Sequence, residues 1–143
     1  LLLKISPDIN NSYIPEIADV AKKNNISAII LTNTTNAHRD DLISTLKKEE
    51  GGLSGNPLNQ ISTKMIKNFS KELKGKIPII GVGGVSSGRS AYEKIVAGAS
   101  LLQLYTSFVY KGPSAAKDIK NELIQILKAE GIKNIKEAVG KNV

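Results

Sequence analysis

The chain has 143 residues, of which 41% are hydrophobic and 23% are charged, as is typical of one folded globular domain and not of a disordered chain. It contains no cysteine, which excludes disulfides and thiolate metal sites. The net charge of +7 comes from lysines spread through predicted helices without interleaved aromatic residues, so we predict no nucleic-acid partner and favour phosphate-bearing ligands or acidic lipid.

The first half of the chain predicts two strand–helix units separated by a long polar stretch. An apolar run over 1–6, interrupted only by Lys4, predicts a strand buried on both faces. Apolar residues at helical spacing then predict a helix to about Asn24, and 27–32 predict the second strand. The polar stretch from 33 to about 57 is roughly twice as long as an ordinary structureless loop, so we expect it to serve function.

The second half continues the same alternation. It predicts helices at about 61–73, 92–99, 113–131 and 136–139, and strands at 77–82 and 101–105. Four alternating strands and helices indicate a parallel α/β sheet.

Two parallel architectures compete for this pattern. An open doubly wound sheet would carry its glycine-rich turn after the first strand, whereas here glycine and polar residues follow strands two, three and four, as in a (β/α)₈ barrel. Four units are half of such a barrel, and four open strands would leave two unpaired edges. We therefore predict that residues 1–143 form a single partial domain, the last four β/α units and C-terminal half of a TIM barrel.

The strongest local signal is the strand that ends in Gly83-Gly84. Glycines there let backbone N–H groups approach an anion, and the following helix would add its positive N-terminus. Phosphate sites in these barrels follow strands seven and eight. If the four strands are the last of eight, Gly83-Gly84 follow strand seven and Tyr105-Thr106 follow strand eight. A plain glycine turn is the alternative.

Most of the other candidate residues have more than one interpretation. The run Thr32-Asn33-Thr34-Thr35 could hold a planar polar ligand or form a cap or ST turn. The loop 51–55 could be a lid, a second backbone approach to a ligand, or an ordinary surface loop. Lys4 requires a partner if it is buried, and otherwise snorkels at a strand edge. His38 is predicted to be a solvated loop residue without a role.

Five motifs occur together in an order that resembles quinone-dependent (class 2) dihydroorotate dehydrogenase. They are Lys-Ile-Ser-Pro-Asp at 4–8, Thr-Asn-Thr-Thr at 32–35, Gly-Gly-Leu-Ser-Gly at 51–55, the strand and glycine turn at 78–84, and the segment 98–106. Each motif alone is weak, but the set covers nearly the whole chain. Leu-Ser-Gly in the loop and Leu-Tyr-Thr after the last strand favour class 2 over the soluble class 1.

The resemblance implies a cofactor and a substrate site at the strand ends. FMN would be contacted by Lys4, Thr32, Gly55, Gly83, Gly84, Tyr105 and Thr106, with backbone at the two adjacent glycines holding its phosphate. Asn33 and Thr34 would hydrogen-bond the dihydroorotate ring. No metal is implied.

The implied reaction is oxidation of dihydroorotate to orotate in pyrimidine biosynthesis. A base removes the C5 proton, the C6 hydride passes to the flavin, and a quinone reoxidises the flavin. In this family the base is a serine in the other half of the barrel. Ser86 and Ser87 do not match its motif, so no catalytic residue is predicted here and the chain alone is expected to lack turnover.

The family also implies peripheral attachment to a membrane through N-terminal helices that lie outside this chain. Richness in Lys, Asn and Ile favours a bacterial cytoplasmic membrane over the mitochondrial inner membrane. Two alternatives remain open: another FMN-dependent barrel oxidoreductase, which should lack the Thr-Asn-Thr-Thr run, and a non-catalytic half-barrel that dimerises and binds a phosphorylated ligand.

Overall fold

A four-stranded parallel sheet carries the fold in the computed structural model, which describes residues 1–37 and 39–143. The strands lie side by side in chain order: β1 (Leu2–Ile5), β2 (Ala28–Leu31), β3 (Ile79–Gly81) and β4 (Ala99–Leu102). The helices are α1 (Ile14–Lys23), α2 (Asn59–Leu73), α3 (Gly88–Val96), α4 (Thr106–Lys111) and α5 (Ala115–Ala129). The predicted α/β architecture is confirmed.

The main core lies between the sheet and helices α1 and α2. Side chains alternate between the two faces of a strand, and Ile29, Leu31 and Ile79 point to the helices. They pack with Ile66 and Phe69 of α2, both of which have no exposed surface. Replacing Phe69 with alanine would leave a cavity that costs about 3–5 kcal/mol.

The other face of the sheet carries a row of side chains in register across all four strands. The row consists of Lys4, Ile30, Ile80 and Leu101. The predicted burial of the first strand on both faces is wrong for this structure, because Leu1 is 88% and Leu2 is 49% exposed. Strands β1 and β4 form the two edges of the sheet, and the helices cover the opposite face.

The third helix, predicted at 92–99, spans Gly88–Val96, and the fourth strand, predicted at 101–105, spans Ala99–Leu102. Ala99 was predicted to end the third helix but begins β4, because α3 stops at Val96 and Gly98 adopts a φ of +119°. Helix α4 was not predicted. Its six residues carry no apolar stripe of helical period, and a tertiary hydrogen bond from Ser107 Oγ to the Val85 carbonyl (2.7 Å) holds it in place.

The remaining elements agree with the sequence. Helix α1 ends one residue before Asn24, α2 runs to Leu73, and a short helical turn covers Ile135–Glu137. Within the described residues, no helix has the length and apolar character that crossing a bilayer requires.

Candidate functional site

One cavity of about 930 Å³ opens at the carboxyl ends of the four strands. All nine residues singled out from the sequence line it: Lys4, Thr32, Asn33, Thr34, Gly55, Gly83, Gly84, Tyr105 and Thr106. Parallel strands all end at the same edge, which explains why residues as far apart in the chain as Lys4 and Thr106 meet here. Their individual roles stay predictions.

The β3 and β4 side of the cavity presents backbone donors. Gly83 and Gly84 adopt φ angles of +110° and +71°, which glycine reaches without steric cost. Within the described part of the chain, the N–H groups of Gly83, Gly84, Tyr105 and Thr106 have no hydrogen-bond acceptor. Unsatisfied amides grouped in one concave site form a nest for an anion.

The first turn of α2 supports this glycine turn from behind. A Cβ atom on Gly84 would lie 2.6 Å from the Asn59 Cβ and 2.7 Å from the Asn59 backbone, so only glycine fits. Ser62 Oγ donates to the Val82 carbonyl at 2.5 Å, just before the turn. The position of the glycine turn is therefore fixed by its contacts with α2.

The helix after the turn contributes less than the sequence suggested. The N–H groups of Ser86 and Ser87 donate to Ser90 Oγ (both 2.9 Å), and that of Ser90 donates to Ser87 Oγ in a reciprocal cap. The Gly88 N–H donates to the Glu122 carboxylate at 2.6 Å. The protein thus occupies four donors at the start of α3, and the free donors lie at the glycine turn and the start of α4 instead.

The β2 side presents polar side chains. The Asn33 N–H donates to the Ile5 carbonyl (2.8 Å), which ties the β2 end to β1. Asn33 Oδ1 accepts from the Thr34 N–H (2.9 Å), and both residues are exposed. Thr32 is only 2% exposed, yet its hydroxyl lacks a partner among the described residues. A polar ligand in the cavity would satisfy this hydroxyl.

Hydrogen bonds among Asp8, Thr35, Asn36 and Leu53, here called the clasp, hold the base of the long loop on the β2 side of the cavity. The Asp8 carboxylate accepts from the Thr35 hydroxyl and from the Asn36 N–H (2.9 Å). Thr35 has no exposed surface, and it exchanges both backbone hydrogen bonds with Leu53 (3.1 and 2.7 Å). Thr35 Oγ1 also accepts from the Ala37 N–H at 3.0 Å, so an ST turn does form at the end of the run.

The glycine-rich loop 51–55 crosses from one side of the cavity to the other. A Cβ on Gly52 would overlap Thr34, and one on Gly55 would lie 3.1 Å from Thr106 Cγ2. Thr106 Oγ1 donates to Ser54 Oγ at 3.0 Å. The close packing explains Gly52 and Gly55 without requiring that they contact a ligand.

Further along the long loop, one guanidinium organises the backbone. Arg39 donates to the carbonyls of Glu49 (2.6 Å), Lys47 (3.3 Å) and Gly51. His38, predicted to be a solvated loop residue, lies outside the described residues.

Two lysines line the cavity, one predicted and one missed. Lys4 is exposed on the edge strand, and the expected acidic partner is not found among the described residues. Lys111 lies at the end of α4, and its Nζ donates to the Ser86 carbonyl at 2.7 Å. It was missed because α4 was missed; the Gly-Pro pair that follows it was the available signal.

The chemistry of the lining suits an anionic ligand. None of the described lining residues is Asp, Glu or His, and two are lysines. The described part of the chain also holds no cluster of acidic or histidine side chains suited to a metal ion. The cavity can bind and orient an anion, but its lining offers no carboxylate or imidazole for proton transfer.

Comparison with known proteins identifies the family of this arrangement. Residues 1–127 match the family model described as dihydroorotate dehydrogenase. The chain is 47% identical over 142 residues to the mitochondrial dihydroorotate dehydrogenase (quinone) of Arabidopsis thaliana and 45% identical to the dihydroorotate dehydrogenase (quinone) of Trichodesmium erythraeum. Each match covers 98% of this chain but only 31% and 39% of the relative.

A solved structure agrees closely in fold. A ligand-free DHODH from Eimeria tenella superposes with a TM-score of 0.96 at 42% identity, over 99% of this chain and 39% of that one. The chain therefore spans about a third to two fifths of the length of the proteins that it matches, and the similarity supports the predicted half-barrel.

Proposed function

Because the chain belongs to the dihydroorotate dehydrogenase family, we propose that its cavity binds FMN and one side of the dihydroorotate ring. The complete enzyme would oxidise dihydroorotate to orotate with a quinone as acceptor, in pyrimidine biosynthesis. The relatives named dihydroorotate dehydrogenase (quinone) support this reaction. The observation that carries the proposal is the convergence of nine predicted residues on one cavity.

The residues present fit the phosphate of FMN. Four N–H groups that have no acceptor among the described residues, at Gly83, Gly84, Tyr105 and Thr106, belong to residues that line the cavity, and none of the described lining residues is acidic. They would hold a phosphate in the way that glycine turns and short helices do in barrel enzymes. The unpartnered Thr32 hydroxyl would donate to a polar atom of the flavin.

Asn33 and Thr34 would hydrogen-bond the dihydroorotate ring. Both are exposed to the cavity beside Lys4, whose ammonium would stabilise negative charge on the ring system. Bound FMN would supply the hydride acceptor. The described lining residues include no Asp, Glu or His, so we propose that a base from outside these residues takes the proton and that these residues alone do not turn over substrate.

We further propose peripheral membrane association, through parts of the protein outside these residues, because a quinone is lipid-soluble. The similar proteins include mitochondrial and bacterial enzymes and therefore favour neither membrane. We propose the bacterial cytoplasmic membrane on the amino-acid composition alone.

Lys4→Met in the complete natural protein tests the proposed site. Because the ammonium would stabilise charge on the reduced flavin, we expect lower flavin content or at least tenfold slower reduction by dihydroorotate, equivalent to about 1.4 kcal/mol. Flavin absorbance and stopped-flow reduction measure the two effects. Lys23→Met, on the exposed end of α1, is the matched control. Normal flavin content with normal reduction in Lys4→Met would remove Lys4 from the site.

A further inference from the structure

Lys94 is the only charged residue among the buried side chains of the described part of the chain. It lies on α3 with no exposed surface, and its Nζ donates to the Asn59 carbonyl (3.1 Å) and to Thr63 Oγ1 (3.0 Å). The neighbouring Glu93 does not pair with it, because its carboxylate binds Arg89 (3.2 Å) and the Asn59 amide (3.5 Å).

A buried ammonium bound only to neutral acceptors is energetically costly. Burial lowers the pKa of Lys94 to about 8, so the side chain is still mainly protonated at neutral pH. Within the described residues no carboxylate lies within ion-pairing distance of it. Glu93 attracts the ammonium from beyond ion-pairing distance, so within the described residues the charge of Lys94 is only partly offset.

The groups that Lys94 holds are those that support the glycine turn. Asn59, whose carbonyl accepts from Lys94, is also the residue that a Cβ on Gly84 would strike at 2.6 Å. One turn further along α2, Ser62 approaches the equivalent position on Gly83 at 3.2 Å and donates to the Val82 carbonyl. A single helical turn thus lies between the buried cation and the predicted anion site.

We propose that Lys94 is a positioning residue for the phosphate of the bound cofactor. It fixes the first turn of α2 against Gly83-Gly84, and its positive charge behind the turn is balanced by the phosphate in front of it. This inference rests on the proposed binding of FMN.

The test compares a flavin that carries the phosphate with one that lacks it. In the complete natural protein, freed of flavin, the affinities for FMN and riboflavin are measured by fluorescence titration. Lys94→Met should weaken FMN binding about tenfold, because one charge at reduced dielectric is lost, and should leave riboflavin binding nearly unchanged. A merely structural role would weaken both flavins equally.

Two further variants keep the test decisive. Lys71→Met removes an exposed lysine from α2 and should leave both affinities unchanged. Thr63→Val removes one of the two acceptors of Lys94 with little change of shape, and should weaken FMN binding about threefold. This variant tests the inference if Lys94→Met does not fold.

The outcomes separate the two proposals. If the unmodified protein binds FMN but Thr63→Val and any folded Lys94→Met keep its full preference for FMN over riboflavin, this inference is overturned. If the unmodified protein binds neither flavin, the proposed function fails and this inference fails with it.

Discussion

The two sides of the cavity are built from different parts of the polypeptide. At the end of β2, Thr32, Asn33 and Thr34 present side-chain hydroxyl and amide groups. At the ends of β3 and β4, Gly84 and Thr106 present backbone N–H groups whose position depends on the helices behind them. A substitution on the first side removes a chemical group, whereas one on the second side changes the shape of the backbone. The two sides should therefore respond differently to mutation.

Gly84→Ala should have the largest effect, because it acts on shape. The new Cβ would collide with Asn59 at 2.6 Å and would force a φ of +71° on alanine. We expect a loss of about 3–5 kcal/mol in the free energy of unfolding, together with loss of bound flavin. Chemical denaturation and flavin absorbance measure these effects.

Gly75→Ala is the matched control for that prediction. Gly75 has a similar φ of +75° but nothing within 4 Å of the added Cβ, so the cost should be about 1 kcal/mol. Equal losses for the two variants would show that backbone strain, and not the contact with α2, limits the glycine turn.

Lys94 gives the glycine-turn side a pH dependence that the β2 side should lack. Its pKa is lowered from 10.5 to about 8 by burial, so the folded state loses the proton before the unfolded state does. The cost of burying the charge is fully present below pH 8 and is relieved as the pH rises from 8 to 10.5. Over that range the wild type should gain about 3 kcal/mol in the free energy of unfolding relative to Lys94→Met. Parallel pH profiles for the two proteins would contradict this.

Asn33→Ala tests the β2 side, where a chemical group is removed. Polar atoms of the substrate ring would lose their partner, so we expect a loss of about 2–3 kcal/mol in kcat/KM for dihydroorotate. Flavin content and stability should stay normal, in contrast to Gly84→Ala. Asn36→Ala, in the same loop but outside the cavity, is the control. An unchanged kcat/KM would exclude Asn33 from substrate binding.

Asp8→Asn should have the smallest effect of the series, since it acts through Thr35. The amide would replace one acceptor oxygen with a donor that faces the Thr35 hydroxyl or the Asn36 N–H. We expect KM for dihydroorotate to rise by a factor equivalent to about 1–2 kcal/mol, with flavin content unchanged. Asp41→Asn, in the exposed part of the loop, should leave KM as it is. A fall in flavin content with normal KM would show that the two sides are not separable.

The residues that line the cavity could be predicted from the sequence because each strand end is marked by a local sequence pattern. Each motif directly follows an apolar strand, and parallel strands bring such ends together. Helix α4 was not predictable, because six residues without a stripe fold as a helix only through contacts such as that of Ser107 with Val85.

Buried polar contacts between distant residues were equally hidden. Lys94 looks like an ordinary helix lysine until α2 is seen to supply two acceptors 35 and 31 positions away. Asp8 was quoted in a motif, but its partner Thr35 lies 27 positions further on. In both cases the sequence gives the residue type but not which group it will bind.

The hydrogen-bonded pair Thr35–Leu53 isolates the outer part of the long loop from the strand ends. Because this pair and Asp8 hold the base of the loop together, substitutions beyond it should leave the strand ends in place. Ile43 stands there fully exposed, and the chain has no cysteine. Ile43→Cys would therefore give the chain a single thiol for attaching a spectroscopic label beyond the clasp.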